Sequence, residues 1–334
     1  MTMSSTLLGP IGAALSWCLY LFISYASVVA YTAAGGGLAA AAMNQLFSLS
    51  LSDEAGCLLF ILIFGSILYL GNRIVGRANA VLFIAMLTAY VLLVTVGLQE
   101  VKMHFLRHTN WHQSFFSIPL LLTTFSFQTM LPSLTPYLQR NPVLLRWAIV
   151  GGTGLTFFVY LIWQSIVLGI VPVIGPHSLA EALEAGKPIT QFLREHADST
   201  QLSLLAEFFG FFALVTSFLG MAMGLKDFLA DGLKIKHTKW GNVCILLLIS
   251  VPTFFFSAFY ERVFIEALET SGGFGDSILN GILPILMVWS GRYWYRFPHE
   301  NRVPGGKLLL GGLCIFFVFA LLVEIVVRTT RVSA

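Results

Sequence analysis

The chain alternates between long apolar runs and short polar connections. Nine stretches are predominantly apolar: 8–34, 56–71, 79–98, 115–139, 147–173, 202–225, 240–259, 274–292 and 307–327. A helix of about 20 apolar residues crosses the hydrocarbon core of a bilayer. The pattern therefore predicts nine transmembrane helices, the second of them short. The eighth follows the amphipathic segment "ERVFIEALE" at 261–269. The longest connection, 174–201, holds "SLAEALEAGKPITQFLREHAD", whose apolar spacing predicts one or two surface helices over a vestibule. No Lys or Arg precedes Arg73, and the first run is longer than the apolar core of a signal peptide. It is read as a retained helix.

Composition agrees with this pattern. Of the 334 residues, 57% are apolar and 10% charged, and the mean hydropathy is +0.83. Soluble domains carry about 25% charged residues, so the chain reads as an all-α polytopic membrane protein with lipid as an obligatory partner. A net charge of +3 without a basic stripe excludes nucleic acid as a partner. Cys18, Cys57, Cys244 and Cys314 lie inside apolar runs and read as small packing residues. His104, His108 and His112 fall in a connection and read as a solvated loop. No cofactor and no metal site is expected. Twelve of the 19 Lys and Arg fall in one set of alternating connections and seven in the other. The richer side is expected to be cytoplasmic, which puts the N-terminus inside, and 174–201 and the C-terminus outside.

One run breaks its own pattern. Within 115–139, "TTFSFQTMLPSL" gathers Ser126, Gln128 and Thr129 ahead of Pro132, with Pro119 and Pro136 to either side. Lipid cannot satisfy freed backbone groups, so such a segment must be buried in protein or line a wet cavity. Secondary transporters use broken helices at their substrate sites. The bland alternative is a proline-kinked packing helix. In 202–225, Thr216 and Ser217 sit among Gly220, Ala222 and Gly224, where hydroxyls can bond across helices or ligate a cation. "GGTGLT" at 151–156 lacks a following Lys and is read as close helix packing, not a phosphate loop. "SGGFGDS" at 271–277 is expected to unwind the start of the eighth span. Glu207 and Glu324 lie near span ends, where snorkelling into headgroups accounts for them. No ring of acidic residues argues for a channel, and no nucleophile–base pair within the spans argues for an enzyme.

Three segments carry a resemblance: "SIPLLLTTFSFQTMLPSL", "LVTSFLGMAMGLKDFLADGL" and "ILNGILPILMVW". The sequence resembles the hydroxy and aromatic amino acid permease family, which includes tyrosine- and tryptophan-specific permeases, from "LLGPIGAALSW" to the last span. The resemblance implies secondary active uptake of an aromatic amino acid, tyrosine or tryptophan, as a multi-pass protein of the bacterial inner membrane. The implied coupling ion is a proton in preference to sodium. The implied architecture is the inverted-repeat amino-acid transporter fold, two five-helix repeats plus one helix. On that plan 1–334 is a single permease domain, with 1–98 the remainder of a first repeat, 115–292 the second repeat and 307–327 the extra helix. The plan needs eleven helices where about nine are counted. The chain is therefore expected to be N-terminally incomplete, lacking the first two, and a transport-inactive truncated permease is the alternative reading. The family usually reads Phe-Gly-Phe-His at the break, where this chain has Phe125-Ser126-Phe127-Gln128. The implied substrate-binding residues are Phe125, Ser126, Phe127, Gln128 and Thr129, with Tyr20 and Ser24 on the first span. Thr216, Ser217 and Ser126 are the coupling-ion candidates.

Overall fold

The computed structural model describes residues 2–107, 109, 111–127, 131, 134–135, 138–186, 188–196, 199–236, 238–260, 263–296 and 305–332. Among them the regular elements are all helical. Apart from single turns between 105 and 117, they are, in chain order, α1 (Thr2–Phe47), α2 (Asp53–Tyr69), α3 (Asn72–Glu100), α4 (Ile118–Thr124) and α5 (Pro142–Ile170). Next come α6 (Leu179–Ala185), α7 (Ile189–His196), α8 (Thr200–Gly232), α9 (Lys239–Phe259) and α10 (Val263–Thr270). The run started by α10 continues as a π-helix (Ser271–Ile282), α11 (Leu283–Trp289) and a second π-helical stretch (Ser290–Trp294). The last helix is α12 (Gly306–Val332). Side chains set several starts: Ser52, Ser178, Ser199 and Thr238 each accept a first-turn amide of α2, α6, α8 and α9.

Seven helices among the described residues are long and apolar enough to span a bilayer. They match seven of the nine apolar runs. The run at 56–71 forms the 17-residue α2. The run at 115–139 is interrupted: α4 ends at Thr124, and Phe125–Phe127 lie outside any helix. The segment "SGGFGDS" does not unwind. It widens into a π-helix that joins the amphipathic piece and the eighth span in one continuous helical run.

The helices group into two compact units. One comprises Met1–Ile23, Thr109–Tyr160 and Leu268–Ala334, and the other Ser24–His108 and Leu161–Ala267. In the second unit, Leu93, Ile166, Val171, Leu193 and Leu202 are fully or almost fully buried in one cluster. Ala182 of α6 and Phe192 of α7 belong to it, so the 174–201 connection is anchored in a hydrophobic core. Phe60 of α2 is buried and meets Phe218 of α8 edge-on at 5.1 Å. Cys57 is buried as expected, whereas Cys18 and Cys244 are exposed. Close approach explains Gly36, where a Cβ would lie 2.6 Å from the backbone of Cys57.

The α2–α3 turn is fastened to α8. Lys226 is 3% exposed, and its Nζ donates to the Leu68 carbonyl at 2.8 Å, near the C-terminus of α2. The adjacent Asp227 accepts two bonds from Asn72 Nδ2, at 2.9 and 3.1 Å, beside the N-terminus of α3. Both charges suit the helix ends they meet, a cation at the C-terminus of α2 and an anion at the N-terminus of α3.

In the first unit, α1 is broken at Gly9, whose φ of 70° and ψ of −168° are not helical. Pro10 restarts the helix, a position where its missing N–H costs nothing. Ser290 of the second π-helical stretch donates to the Leu7 carbonyl at 2.7 Å and satisfies a group at this break. The segment "GGTGLT" does not pack as its composition suggests. Gly151, Gly152 and Gly154 of α5 have no neighbour within 4 Å of a Cβ position, so these glycines do not mediate a close helix approach among the described residues.

Candidate functional site

The glycines of the π-helix let its neighbours in the first unit come close. A Cβ on Gly272 would overlap the Thr123 side chain and lie 2.5 Å from the Pro119 carbonyl oxygen, both on α4. A Cβ on Gly273 would overlap the Glu324 side chain of α12, and one on Gly275 would overlap Ile23 of α1. A π-helix is rare and recurs at functional sites. Here its glycines bring three helices onto one short segment.

That segment holds Asp276, which is 2% exposed. Asp276 Oδ1 accepts from the Ser126 hydroxyl at 2.9 Å and from Asn280 Nδ2. Asn280 Nδ2 also donates to Ser126 Oγ at 2.8 Å, which closes a three-residue ring of hydrogen bonds. Among the described residues no basic side chain pairs with Asp276. A buried carboxyl without a counter-ion is costly to keep ionised, so this site can hold and release a proton or another cation.

Ser126 ties the carboxyl to the helix break. The helix α4 ends at Thr124, and Phe125, Ser126 and Phe127 lie outside any helix. The amide of Ser126 bonds to the Thr123 carbonyl at 3.1 Å, tightening the last turn. The Thr124 carbonyl, freed by the break, accepts from the Tyr160 hydroxyl of α5 at 3.0 Å. The Tyr160 ring meets the Phe125 ring edge-on, centroids 5.4 Å apart. Thr123 donates to the Leu268 carbonyl at 3.1 Å, holding α4 against the run that contains Asp276. The break thus presents backbone polar groups, an aromatic pair and a carboxyl together. Pro119 was expected to open a gap in hydrogen bonding, but it lies in the first turn of α4 and begins a helix.

Ser126 and Phe125 meet Asp276 and Tyr160 respectively, and Phe127 is half-buried in the break. Gln128 and Thr129 lie outside the described residues. On α1, Tyr20 is half-buried in the first unit and Ser24 is 1% exposed in the second. Thr216 and Ser217 belong to the second unit. The Thr216 hydroxyl is turned back onto its own helix, donating to the Phe212 carbonyl at 2.8 Å, and lies 3.8 Å from Met86 Sδ. Glu324 does not snorkel. It is 3% exposed and pairs with Arg328 at 2.7 Å, and Arg328 also reaches the Thr270 hydroxyl.

Sequence reasoning missed Asp276, Asn280 and Tyr160. The signal for Asp276 was available: an acidic residue inside the apolar run 274–292 is a functional candidate by default. Tyr160 and Asn280 carried no such signal, since only packing brings them to the break.

A multi-pass helical bundle with a polar break facing a buried carboxyl is the build of a membrane transporter. The chain belongs to the tryptophan/tyrosine permease family, whose family model matches residues 1–327. It is similar to the tyrosine-specific transport system 1 of Haemophilus influenzae, with 29% identity over 92% of this chain and 76% of that protein. It is 28% identical to the tryptophan-specific transport protein of the same organism, over 91% of this chain and 75% of that one. The low affinity tryptophan permease of Escherichia coli K12 is 22% identical over 95% of this chain and 77% of its own length. The chain is accordingly a multi-pass inner-membrane permease and not an enzyme.

Proposed function

We propose that the chain carries out secondary active uptake of an aromatic amino acid, tyrosine or tryptophan, coupled to proton entry. The observation that carries this reading is the end of α4 at Thr124, which leaves Phe125–Phe127 unwound beside a buried carboxyl. A zwitterionic substrate needs donors for its carboxylate and acceptors for its ammonium. An unwound stretch supplies both without a charged side chain. Phe125 and Tyr160 form an edge-on aromatic pair beside it, a surface suited to an aromatic side chain. The tyrosine- and tryptophan-specific relatives support the substrate class. The proton is preferred to sodium because Asp276 is a buried carboxyl with no basic partner among the described residues, a group that can itself take up and release a proton.

The test is uptake of radiolabelled L-tyrosine and L-tryptophan by the full chain in proteoliposomes. An inward proton gradient should drive accumulation of at least one of them, and a sodium gradient should not. Saturable accumulation of a non-aromatic amino acid alone would overturn the substrate class.

A further inference from the structure

We propose that Asp276 is the proton-carrying group of the transport cycle, and that Ser126 transmits its protonation state to the broken helix. The proposal rests on the proton-coupled reading above and names the group that performs it.

The geometry gives the two carboxyl oxygens different tasks. Oδ1 accepts from both Ser126 Oγ and Asn280 Nδ2. No hydrogen bond from a described residue reaches Oδ2. An arriving proton therefore binds Oδ2, forming one O–H bond and neutralising the carboxylate, and it departs from the same atom on the other side of the cycle. Nothing else is consumed. Once neutral, Oδ1 is a weaker acceptor, and the Ser126 hydroxyl is less firmly held. Ser126 lies in the unwound stretch, so its hydroxyl and its backbone become available to a substrate together. Linkage makes this reciprocal: whatever the proton does to substrate affinity, the substrate does to proton affinity.

The surroundings leave the task to Asp276. The helix α4 brings no titratable side chain, and the 2–23 part of α1 brings no charged one, only the Cys18 thiol and the Tyr20 phenol. The helix α12 brings Glu324 and Arg328, which pair with each other and meet the helical run earlier, at Gly273 and Thr270. Arg328 lies 5.7 Å from the Phe274 ring centroid. Within its own run, Glu266 and Glu269 precede the π-helix and Arg292 follows it. Four glycines, Gly272, Gly273, Gly275 and Gly281, let the neighbouring helices close around the carboxyl.

The experiment compares the full wild-type chain with Asp276→Asn in proteoliposomes. Asparagine keeps the shape and an acceptor oxygen but cannot ionise. The substitution should abolish accumulation driven by a proton gradient, and any remaining exchange of internal for external labelled tyrosine or tryptophan should no longer vary with pH. Accumulation by Asp276→Asn at the wild-type level would overturn the assignment. Failure of the wild type itself to respond to a proton gradient would overturn the coupling reading, and this proposal with it. A second measurement covers a variant that does not fold. Asn280→Ala removes one donor that favours the charged carboxylate, so the pH midpoint of uptake should move upward by half a unit or more. An unchanged midpoint in a folded Asn280→Ala protein would overturn the proposal as surely.

Discussion

Adding one methyl group at position 272 tests the packing on which the site depends. In the Gly272→Ala protein the new Cβ would lie 2.5 Å from the Pro119 carbonyl oxygen and would overlap the Thr123 side chain. The Thr123 side chain is short, and the Pro119 oxygen belongs to the backbone of α4. Relief therefore requires α4 and the π-helix to separate. Overpacking of this kind costs about 1–3 kcal/mol. Separation also weakens the 3.1 Å bond from Thr123 to the Leu268 carbonyl, a further ~1 kcal/mol. A loss of roughly 2–4 kcal/mol is the expectation from these two terms together. The matched control is Gly152→Ala on α5, where nothing lies within 4 Å of the added Cβ. Replacing glycine by alanine inside a helix favours the helix by up to about 1 kcal/mol, so this variant should be neutral or slightly more stable. Thermal unfolding in detergent, followed by tryptophan fluorescence and by recovery on size-exclusion chromatography, measures both. A Gly272→Ala protein as stable as wild type would show that α4 is not held against the π-helix. Equal destabilisation by Gly152→Ala would show that the glycines act through backbone freedom and not through contact.

Two further outcomes are expected. Lys226→Met keeps the stem of the side chain but removes the ammonium from the Leu68 carbonyl, and should destabilise the protein by about 1.5–3 kcal/mol in the same melting assay. Asn72→Ala, at the exposed partner of Asp227, should cost less than about 1 kcal/mol, and the opposite order would refute the fastening of the α2–α3 turn through Lys226. For orientation, a single cysteine in place of Pro176, in a background without the four native cysteines, should react with an impermeant maleimide in intact cells. Labelling only after the cells are opened would reverse the orientation inferred from the basic residues.

Length and apolar content made the membrane-spanning helices legible, because a bilayer demands both and few other environments do. The break was legible as well. Three polar side chains ahead of a proline cannot continue a lipid-facing helix, and α4 stops at Thr124, where they begin. Local chemistry likewise marked the helix starts at Ser178 and Ser199. What the sequence pattern could not convey was which distant residues meet the break. Ser126 and Asp276 are 150 positions apart, and nothing periodic links them. The glycines of "SGGFGDS" look alike in the sequence, as do those of "GGTGLT". Only packing distinguishes them: the first set admits Thr123, Glu324 and Ile23 against the backbone, and the second faces no described neighbour. The same holds for Glu324, whose place near a span end pointed to headgroups until Arg328 and Gly273 enclosed it. Hydropathy reports the average environment of a segment. The pairing of buried polar groups depends on which helices touch, and that was decided by tertiary structure alone.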